Sequence, residues 1–436
     1  MGQLTEMNPH QFADHLRSLG RRRAYLLYES DSRTFQPSHP AIQQLADRLA
    51  SVSRGSDAHE AIFFEVGRET GALMAAFIHK TTRGQAQGGL RNQPYETVEA
   101  LLHDGLRLSR SMTHKNALAG LWWGGGKGLI ASGDDDAWRD PGFRRRLYRE
   151  YGRFVSSLRG CYVTAEDAGT SPLDIAEVFR TTRFLTCIPP ESGGSGNPSR
   201  MTAAGVVCGM EAALDFLGQG SLANKKIVLQ GTGNVGSEMI QLLLDHGVRQ
   251  IVASEICEDR SAALLDNFNG HPVEIRPTRA GDEDILAEPC DVLSPCALGG
   301  VLGPKTIPSI QAKIVCGPAN NQLVDEQRDA LALKECGITY VPDFLANRMG
   351  IVACSNEQYG GVNGDPMIQR HLGRSWRGSI YLTTSKVLEL ARKPGVTPVS
   401  AAIRMANELS RQPHPVWGHR ARQIVESLVA DRWADR

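Results

Sequence analysis

Two lysines, Lys115 and Lys127, stand twelve residues apart in the stretch from Met112 to Ile130. Small and apolar residues separate them, and Trp122, Trp123 and the triplet Gly124, Gly125, Gly126 run up to Lys127. No acidic residue inside the stretch neutralises either ammonium. A glycine run can take positive φ and bring backbone close to a ligand. A lysine beside a second lysine and two indoles has its pKa lowered by like charge and by desolvation. Such a group binds a carboxylate or exchanges a proton near neutral pH. A loop with two solvated lysines is the simpler reading for either residue alone. The glycines, the tryptophans and the missing counter-charge together favour chemistry.

A second constellation lies at Thr164-Ala-Glu-Asp-Ala-Gly169. Adjacent carboxylates, Glu166 and Asp167, follow a short strand expected over Cys161 to Thr164. They suit a general acid or base, or an N-cap for the helix that starts at Ser171-Pro-Leu-Asp174, and both roles stay open. A third lies downstream. A buried strand over Lys226 to Gln230 leads into Gly231-Thr232-Gly233-Asn234-Val235-Gly236, a helical pattern follows to Gly247, and a strand over Gln250 to Ser254 ends on Glu255. Glu255 is nineteen residues past Gly236, close to the ~20 expected of a ribose-binding acid. The glycines permit a tight turn and close approach of a pyrophosphate, which a helix N-terminus attracts. An acid at 255, with no Arg or Lys before Arg260, favours NAD over NADP.

These residues need scaffolding. A chain of 436 residues suggests two or three domains. Lys+Arg and Asp+Glu both number 48, so electrostatics give no case for a nucleic-acid partner or an anionic membrane. No apolar run approaches the ~20 residues that span a bilayer, and Met1 to Ser18 lacks a signal-peptide core. Nine cysteines without a C-x-x-C pair read as reduced residues of a cytoplasmic protein, with no metal site. Residues 1–58 are expected as a helical N-terminal extension, with Phe12, Leu16 and Leu19, then Ile42, Leu45 and Leu49, each on one face. Ser51 to Asp57 reads as a linker and Asp134 to Asp140 as an acidic loop. Strands are expected at Ala61 to Val66 and Ala72 to Ile78, a glycine-rich loop at Gln85 to Arg91, and helices at Glu96 to Met112 and Phe143 to Leu158. The first of these helices delivers Lys115. Pro189 to Pro198 and Gly360 to Pro366 read as hinges, and Ser199 as the cap of a helix from Met201. Later strands end near Cys296, Gly317 and Pro342. Their loops, including Ala297 and Asn321, should line the nicotinamide end of a cleft.

With these residues in view, the chain resembles the glutamate/leucine/phenylalanine/valine dehydrogenase family, from about Ile62 to Leu409, and lies nearer its leucine and phenylalanine branch. The likeness rests on Gly88-Gly-Leu-Arg91, Met112-Thr-His-Lys-Asn116, Gly124-Gly-Gly-Lys127, Thr164 to Gly169, Asn197-Pro-Ser199, Gly231 to Gly236, Cys290 to Gly299 and Pro342-Asp343. It implies an α/β fold of two domains. One is an N-terminal substrate and oligomerisation domain over 59–195, completed by C-terminal helices 371–436. The other is a Rossmann-type, doubly wound NAD-binding domain over 196–370. It implies NAD(P)-dependent oxidative deamination of an L-amino acid to its 2-oxo acid and ammonia, with Glu255 favouring NAD, the reverse reaction, and a homo-oligomer.

By that resemblance Lys127 is the catalytic lysine and Asp167 the proton carrier. Lys115 holds the substrate carboxylate; Gly89, Gln87 and Asn347 complete the substrate site. Thr202, Asn321, Cys296, Ala297, the loop Gly231 to Gly236 and Glu255 hold the coenzyme. Gln87 stands where glutamate dehydrogenases carry a lysine, which argues against glutamate, though it is more polar than the leucine branch's aliphatic residue; the nearer branch favours an apolar or aromatic substrate. The side-chain pocket is expected to draw on Trp376, Ser379 and Leu382. Three departures stand out: Asn347-Arg-Met-Gly350, Ser199-Arg-Met-Thr202 and Trp122-Trp123. They keep a non-catalytic homologue open as an alternative, beside an NADP-linked glutamate dehydrogenase.

Overall fold

The structure is a computed structural model describing residues 3–52, 58–133, 136–358, 360 and 364–436. Part of the expected linker (53–57), part of the acidic loop (134–135) and part of the second hinge (361–363) lie outside the described residues. The chain forms two compact units: Met1–Asn197 with Glu357–Gly361 and Asn407–Arg436, and Pro198–Asn356 with Val362–Ala406.

The first unit runs α1 (Pro9–Ser18), β1 (Arg23–Glu29), β2 (Thr34–Pro37), α2 (Gln43–Val52), β3 (Ala61–Val66), β4 (Leu73–Lys80), β5 (Ala86–Gln87), β6 (Leu90–Gln93), α3 (Val98–Leu118), β7 (Gly124–Ala131), α4 (Pro141–Ser157), β8 (Tyr162–Val163) and α5 (Pro172–Phe179). Its sheet has the order β2-β1-β3-β4-β7-β5-β8, with β6 also paired to β7. The β2 to β4 part and the β4–β7 pair are antiparallel, whereas β5, β6 and β8 join in parallel. One apolar layer joins Phe12, Leu16, Leu45, Leu49, Phe64, Phe77 and Leu101. A second joins Phe63, Met74, Tyr148, Tyr151, Phe154 and Trp433.

The N-terminal 58 residues are therefore not a helical appendage. Ala24-Tyr-Leu-Leu-Tyr28 carries two strand-favouring tyrosines and pairs antiparallel with β3, so β1 and β2 extend the sheet. The helices at Phe12 and Leu45 are present, and each Phe or Leu side chain they bury contributes about 2 kcal/mol.

The glycine run is not a loop. Gly124–Ala131 is a fully buried strand. Its glycines serve close packing: a Cβ on Gly125 would sit 2.1 Å from Thr113 Oγ1 of α3, and one on Gly128 would sit 2.0 Å from the Tyr151 hydroxyl of the opposite layer. The stretch expected as a glycine loop, Gln85 to Arg91, likewise forms β5 and β6 on either side of Gly88-Gly89.

The second unit begins with α6 (Ser199–Phe216). Pro198, not Ser199, holds the cap position. Then come β9 (Lys226–Gln230), α7 (Asn234–Asp245), β10 (Gln250–Glu255), α8 (Glu258–Asn267), β11 (Val273–Pro277), β12 (Val292–Pro295), β13 (Ile314–Val315), α9 (Glu326–Glu335), β14 (Thr339–Tyr340), α10 (Asp343–Ala346), α11 (Met349–Gln358), α12 (Pro366–Leu372), α13 (Ile380–Leu390) and α14 (Pro398–Ser410). The six strands are all parallel in the order β11-β10-β9-β12-β13-β14, the doubly wound order of dinucleotide-binding sheets.

The chain returns to the first unit at Asn407, not at 371. The reason is that α13 is bonded to the second unit: Tyr381 Oη donates to Asp215 of α6 at 2.6 Å. The last helix, α15 (Arg420–Ala430), and Trp433 then pack into the first unit's second apolar layer. Among the described residues no helix is long and apolar enough to cross a membrane, and no cluster could hold a metal ion.

Candidate active site

In the first unit α3 carries Lys115 in its last turn and β7 carries Lys127. Both lysines are buried. Gly125 faces α3, and Gln87 of β5 is in register with it. Side chains alternate along a strand, so Lys127 and Gln87 share the α3 face of the sheet.

The missing counter-charge arrives from forty residues away: Lys127 Nζ donates to Asp167 Oδ2 at 2.5 Å. Asp167 is free for this because Ser171 caps α5, in a reciprocal capping box with Asp174. The helix cap expected of one of the adjacent carboxylates, Glu166 or Asp167, is Ser171 instead.

Burial pushes Lys127 below its ordinary value, Asp167 opposes that shift and Arg91 adds to it. The like charge expected of Lys115 thus comes from Arg91. Burial would raise the Asp167 carboxyl, but Lys127 and Arg91 overcome it and hold it down at about 2. Arg91 lies at 3.3 Å from Asp167 Oδ2 through Nε, and at 3.3 Å from Asp104 Oδ2 of α3 through Nη1. Neither Arg91 nor Asp104 was assigned a role from sequence. Arg91 closes the Gly88-Gly-Leu-Arg91 motif, and the signal for Asp104 is a carboxylate three residues past Leu101, on the helix's buried stripe.

Gly89 leaves room for Asp167, since a Cβ there would lie 2.8 Å from the Asp167 Cβ. Gln87 is buried, and among the described residues its Oε1 has no donor. Glu166 accepts from Asn197 Nδ2 at 2.8 Å, and burial raises its pKa.

In the second unit the loop after β9 fits a dinucleotide. Gly231 turns at φ +98°, which disfavours a side chain. A Cβ on Gly236 would strike the Gly231 carbonyl at 2.3 Å, whereas a Cβ on Gly233 would meet nothing within 4 Å. So Gly233 borders open space at the N-terminus of α7, where Asn234, Val235 and Gly236 form the first turn and no side chain caps the helix. A pyrophosphate suits such a place. Cys296 and Ala297 pack against this loop.

Glu255 ends β10 and is buried. Thr232 Oγ1 donates to its Oε2 at 2.5 Å, the Cys257 amide donates to its Oε1 at 2.8 Å, and Arg260 Nη1 lies 3.4 Å away. Burial alone would raise the Glu255 carboxyl, but these donors outweigh it and lower the pKa. Thr202 lies in the first turn of α6 and donates to the Pro198 carbonyl at 3.0 Å. Asn321 takes the left-handed conformation at φ 54°, and its amide donates to Asp343 Oδ2 at 2.7 Å. Asn347 donates to Pro318 O and Asn320 Oδ1, both at 2.9 Å, while its own Oδ1 is buried with no donor among the described residues.

The family profile for the Glu/Leu/Phe/Val dehydrogenase dimerisation domain matches residues 61–184. That for the Glutamate/Leucine/Phenylalanine/Valine dehydrogenase domain matches 193–267 and 255–411. The chain belongs to this dehydrogenase family. It is 37% identical to leucine dehydrogenase of Geobacillus stearothermophilus over 80% of this chain and 90% of that one. It is 35% identical to phenylalanine dehydrogenase of Caldalkalibacillus thermarum over the same shares. Among solved structures, L-tryptophan dehydrogenase of Nostoc punctiforme is similar with a TM-score of 0.63 and 34% identity, over 81% of this chain and 96% of that one. The resemblance seen in the motifs, its leucine and phenylalanine branch and the two-domain α/β class all hold. This is an amino acid dehydrogenase, an enzyme of oxidative deamination.

Two of the three departures of this dehydrogenase from the family pattern, Arg348-Met349 and Trp122, are taken up in packing, whereas Arg200 of the third is largely exposed. Arg348 is fully buried, donating to the Gly378 carbonyl and, at 3.5 Å, to Thr383 Oγ1. Burial brings its pKa down to about 9. Met349 is buried beside Gly205 of α6. Trp122 stacks with the Arg83 guanidinium at 4.2 Å and with His414 at 5.5 Å, tying the returning C-terminal segment to the sheet. Ser379 caps α13, and Trp376 lies edge-on to His371 at 4.6 Å.

Proposed function

We propose that this dehydrogenase uses NAD to convert L-amino acids with large apolar or aromatic side chains into 2-oxo acids and ammonia, and runs the reverse amination. The buried Lys127–Asp167 pair, held on the strand made by the glycine run, carries this reading. Bound NAD would supply the hydride acceptor. Lys115 grips the α-carboxylate. Neutral Lys127 takes a proton from the attacking water, and its ammonium form steadies the developing oxygen. Asp167 moves protons to and from the amino nitrogen. The match to a dimerisation domain supports a homo-oligomer. Nine free cysteines suit a cytoplasmic enzyme.

The test is NADH absorbance with a panel of L-amino acids at alkaline pH. Signal is expected with leucine, phenylalanine or tryptophan. No signal with any substrate would favour a non-catalytic homologue, and glutamate with NADP as the best pair would overturn the specificity.

Two further outcomes are expected. Gln87 presents an acceptor without a donor, so a substrate side chain bearing an N–H, such as indole, gains there. Gln87→Leu is expected to shift the tryptophan-to-leucine ratio of kcat/KM toward leucine by about tenfold. An unmoved ratio would separate Gln87 from the side-chain pocket. Glu255→Ala is expected to weaken NAD by about tenfold, the worth of one or two hydrogen bonds to a carboxylate, and to relax rejection of NADP. Calorimetric titration of both coenzymes checks it; unchanged preference would mean that another group reads the ribose.

A further inference from the structure

Asp167 Oδ2 is shared by two cations, Lys127 Nζ at 2.5 Å and Arg91 Nε at 3.3 Å. The other arm of Arg91 does not point to solvent. Its Nη1 spans both oxygens of Asp104, at 3.4 and 3.3 Å. Asp104 is also bonded by Tyr95 Oη at 2.9 Å and Gln93 Nε2 at 3.4 Å, with Arg107 Nη2 at 3.6 Å. All four charged groups are largely shielded, at 15% side-chain exposure for Arg91, 11% for Asp104, 5% for Lys127 and 19% for Asp167.

We propose that Arg91 is a positioning residue that anchors Asp167 to α3 through Asp104 and sets the pH at which the Lys127–Asp167 pair exchanges protons. This rests on the acid–base roles proposed above for that pair. A lysine acting as a base must pass through its neutral form, and in that form it no longer supplies the charge that keeps Asp167 ionised. Arg91 does, because a guanidinium stays protonated throughout. Its planar guanidinium also reaches Asp167 through Nε and Asp104 through Nη1 at once, a bridge between two carboxylates that a single ammonium on a lysine stem would not hold in the same plane.

Arg91 repels the charged form of Lys127 as well, which adds to the lowering by burial against the opposing pull of Asp167. Other titratable groups near the pair are Glu166 next in the loop, Tyr162 on β8, Tyr95 and Arg107 beyond Asp104, and Lys115 farther along α3. Each remains in place when Arg91 is changed.

The test compares pH profiles of kcat/KM for deamination in the wild type, Arg91→Gln and Arg91→Lys, each checked by circular dichroism and thermal midpoint. Arg91→Gln leaves both carboxylates with a donor: Lys127 for Asp167, and Tyr95 and Gln93 for Asp104. Losing the repulsion raises the Lys127 pKa, so the rising limb is expected to move to higher pH by about one unit, with kcat down about tenfold. Arg91→Lys keeps the charge, so its limb should stay near the wild-type position while kcat still falls severalfold. A folded Arg91→Gln with an unmoved limb overturns the proposal. So does Arg91→Lys with full kcat, which keeps the inference falsifiable even if the glutamine variant fails to fold. If Lys127→Ala keeps activity, the underlying acid–base reading fails instead; if that variant is inactive and only the Arg91 results disagree, the acid–base reading survives.

Discussion

Lys127→Ala is expected to lose at least about 10⁴-fold in kcat for deamination, because it removes both a base and an electrostatic partner for the developing oxygen. NAD binding should be unchanged within experimental error. The residues that fit the dinucleotide, Gly231 to Gly236 and Glu255, belong to the other compact unit. Misfolding is not expected to confuse the result. Lys127 is buried, but its removal does not strand Asp167, which keeps Arg91 at 3.3 Å. Stopped-flow NADH formation and coenzyme titration on one preparation check both halves. Retained turnover would remove Lys127 from the chemistry, and lost coenzyme affinity with an altered thermal midpoint would mean that the substitution damaged the fold.

Asp167→Asn carries the second large effect, an expected loss of about 10²- to 10⁴-fold in kcat, the range of a positioned acid–base group. The amide keeps the shape and one hydrogen-bond acceptor for Lys127 but cannot carry the proton. It also removes the anion that opposes burial at Lys127, so the lysine's pKa should fall further. Any residual activity should then reach half its maximum at lower pH than in the wild type. A kcat within a fewfold of wild type would leave Asp167 as a structural counter-ion.

Much of this site could be read from residue types and spacing, and what escaped has physical causes. The second unit was legible because its motif is local. Strand, three glycines, helix, strand and acid follow one another within thirty residues, and each glycine has the role its position suggests. The first unit was harder. Gly124 to Gly126 reads as a loop because glycine weakens a strand in isolation. Here the backbone is squeezed between α3 and Tyr162, so a side chain fits on neither face. Tertiary crowding of that kind leaves no periodic trace.

The ion pair was hidden for a related reason. Lys127 has no acid near it in sequence, and sheet pairing brings Asp167 to it. Arg91 and Asp104 join the same network from β6 and α3, a convergence that no local pattern encodes. The first domain reaches further at one end and less far at the other than local patterns suggest: Ala24 to Tyr28 is a short segment without clear alternation between two helical faces, and α13 is tied to α6 by Tyr381 and Asp215, partners far apart in sequence.

The most direct test of the Lys127–Asp167 chemistry is the pH dependence of kcat/KM for oxidative deamination by the unmodified enzyme. A lysine whose charge is disfavoured by burial and by Arg91 gives up its proton below the ordinary lysine value of about 10.4. With neutral lysine as the proposed base, the rate should rise with pH along a single limb whose midpoint lies clearly below that value, and the limb should vanish in Lys127→Ala. A profile that is flat through this range, or a limb that persists without Lys127, would contradict the assignment.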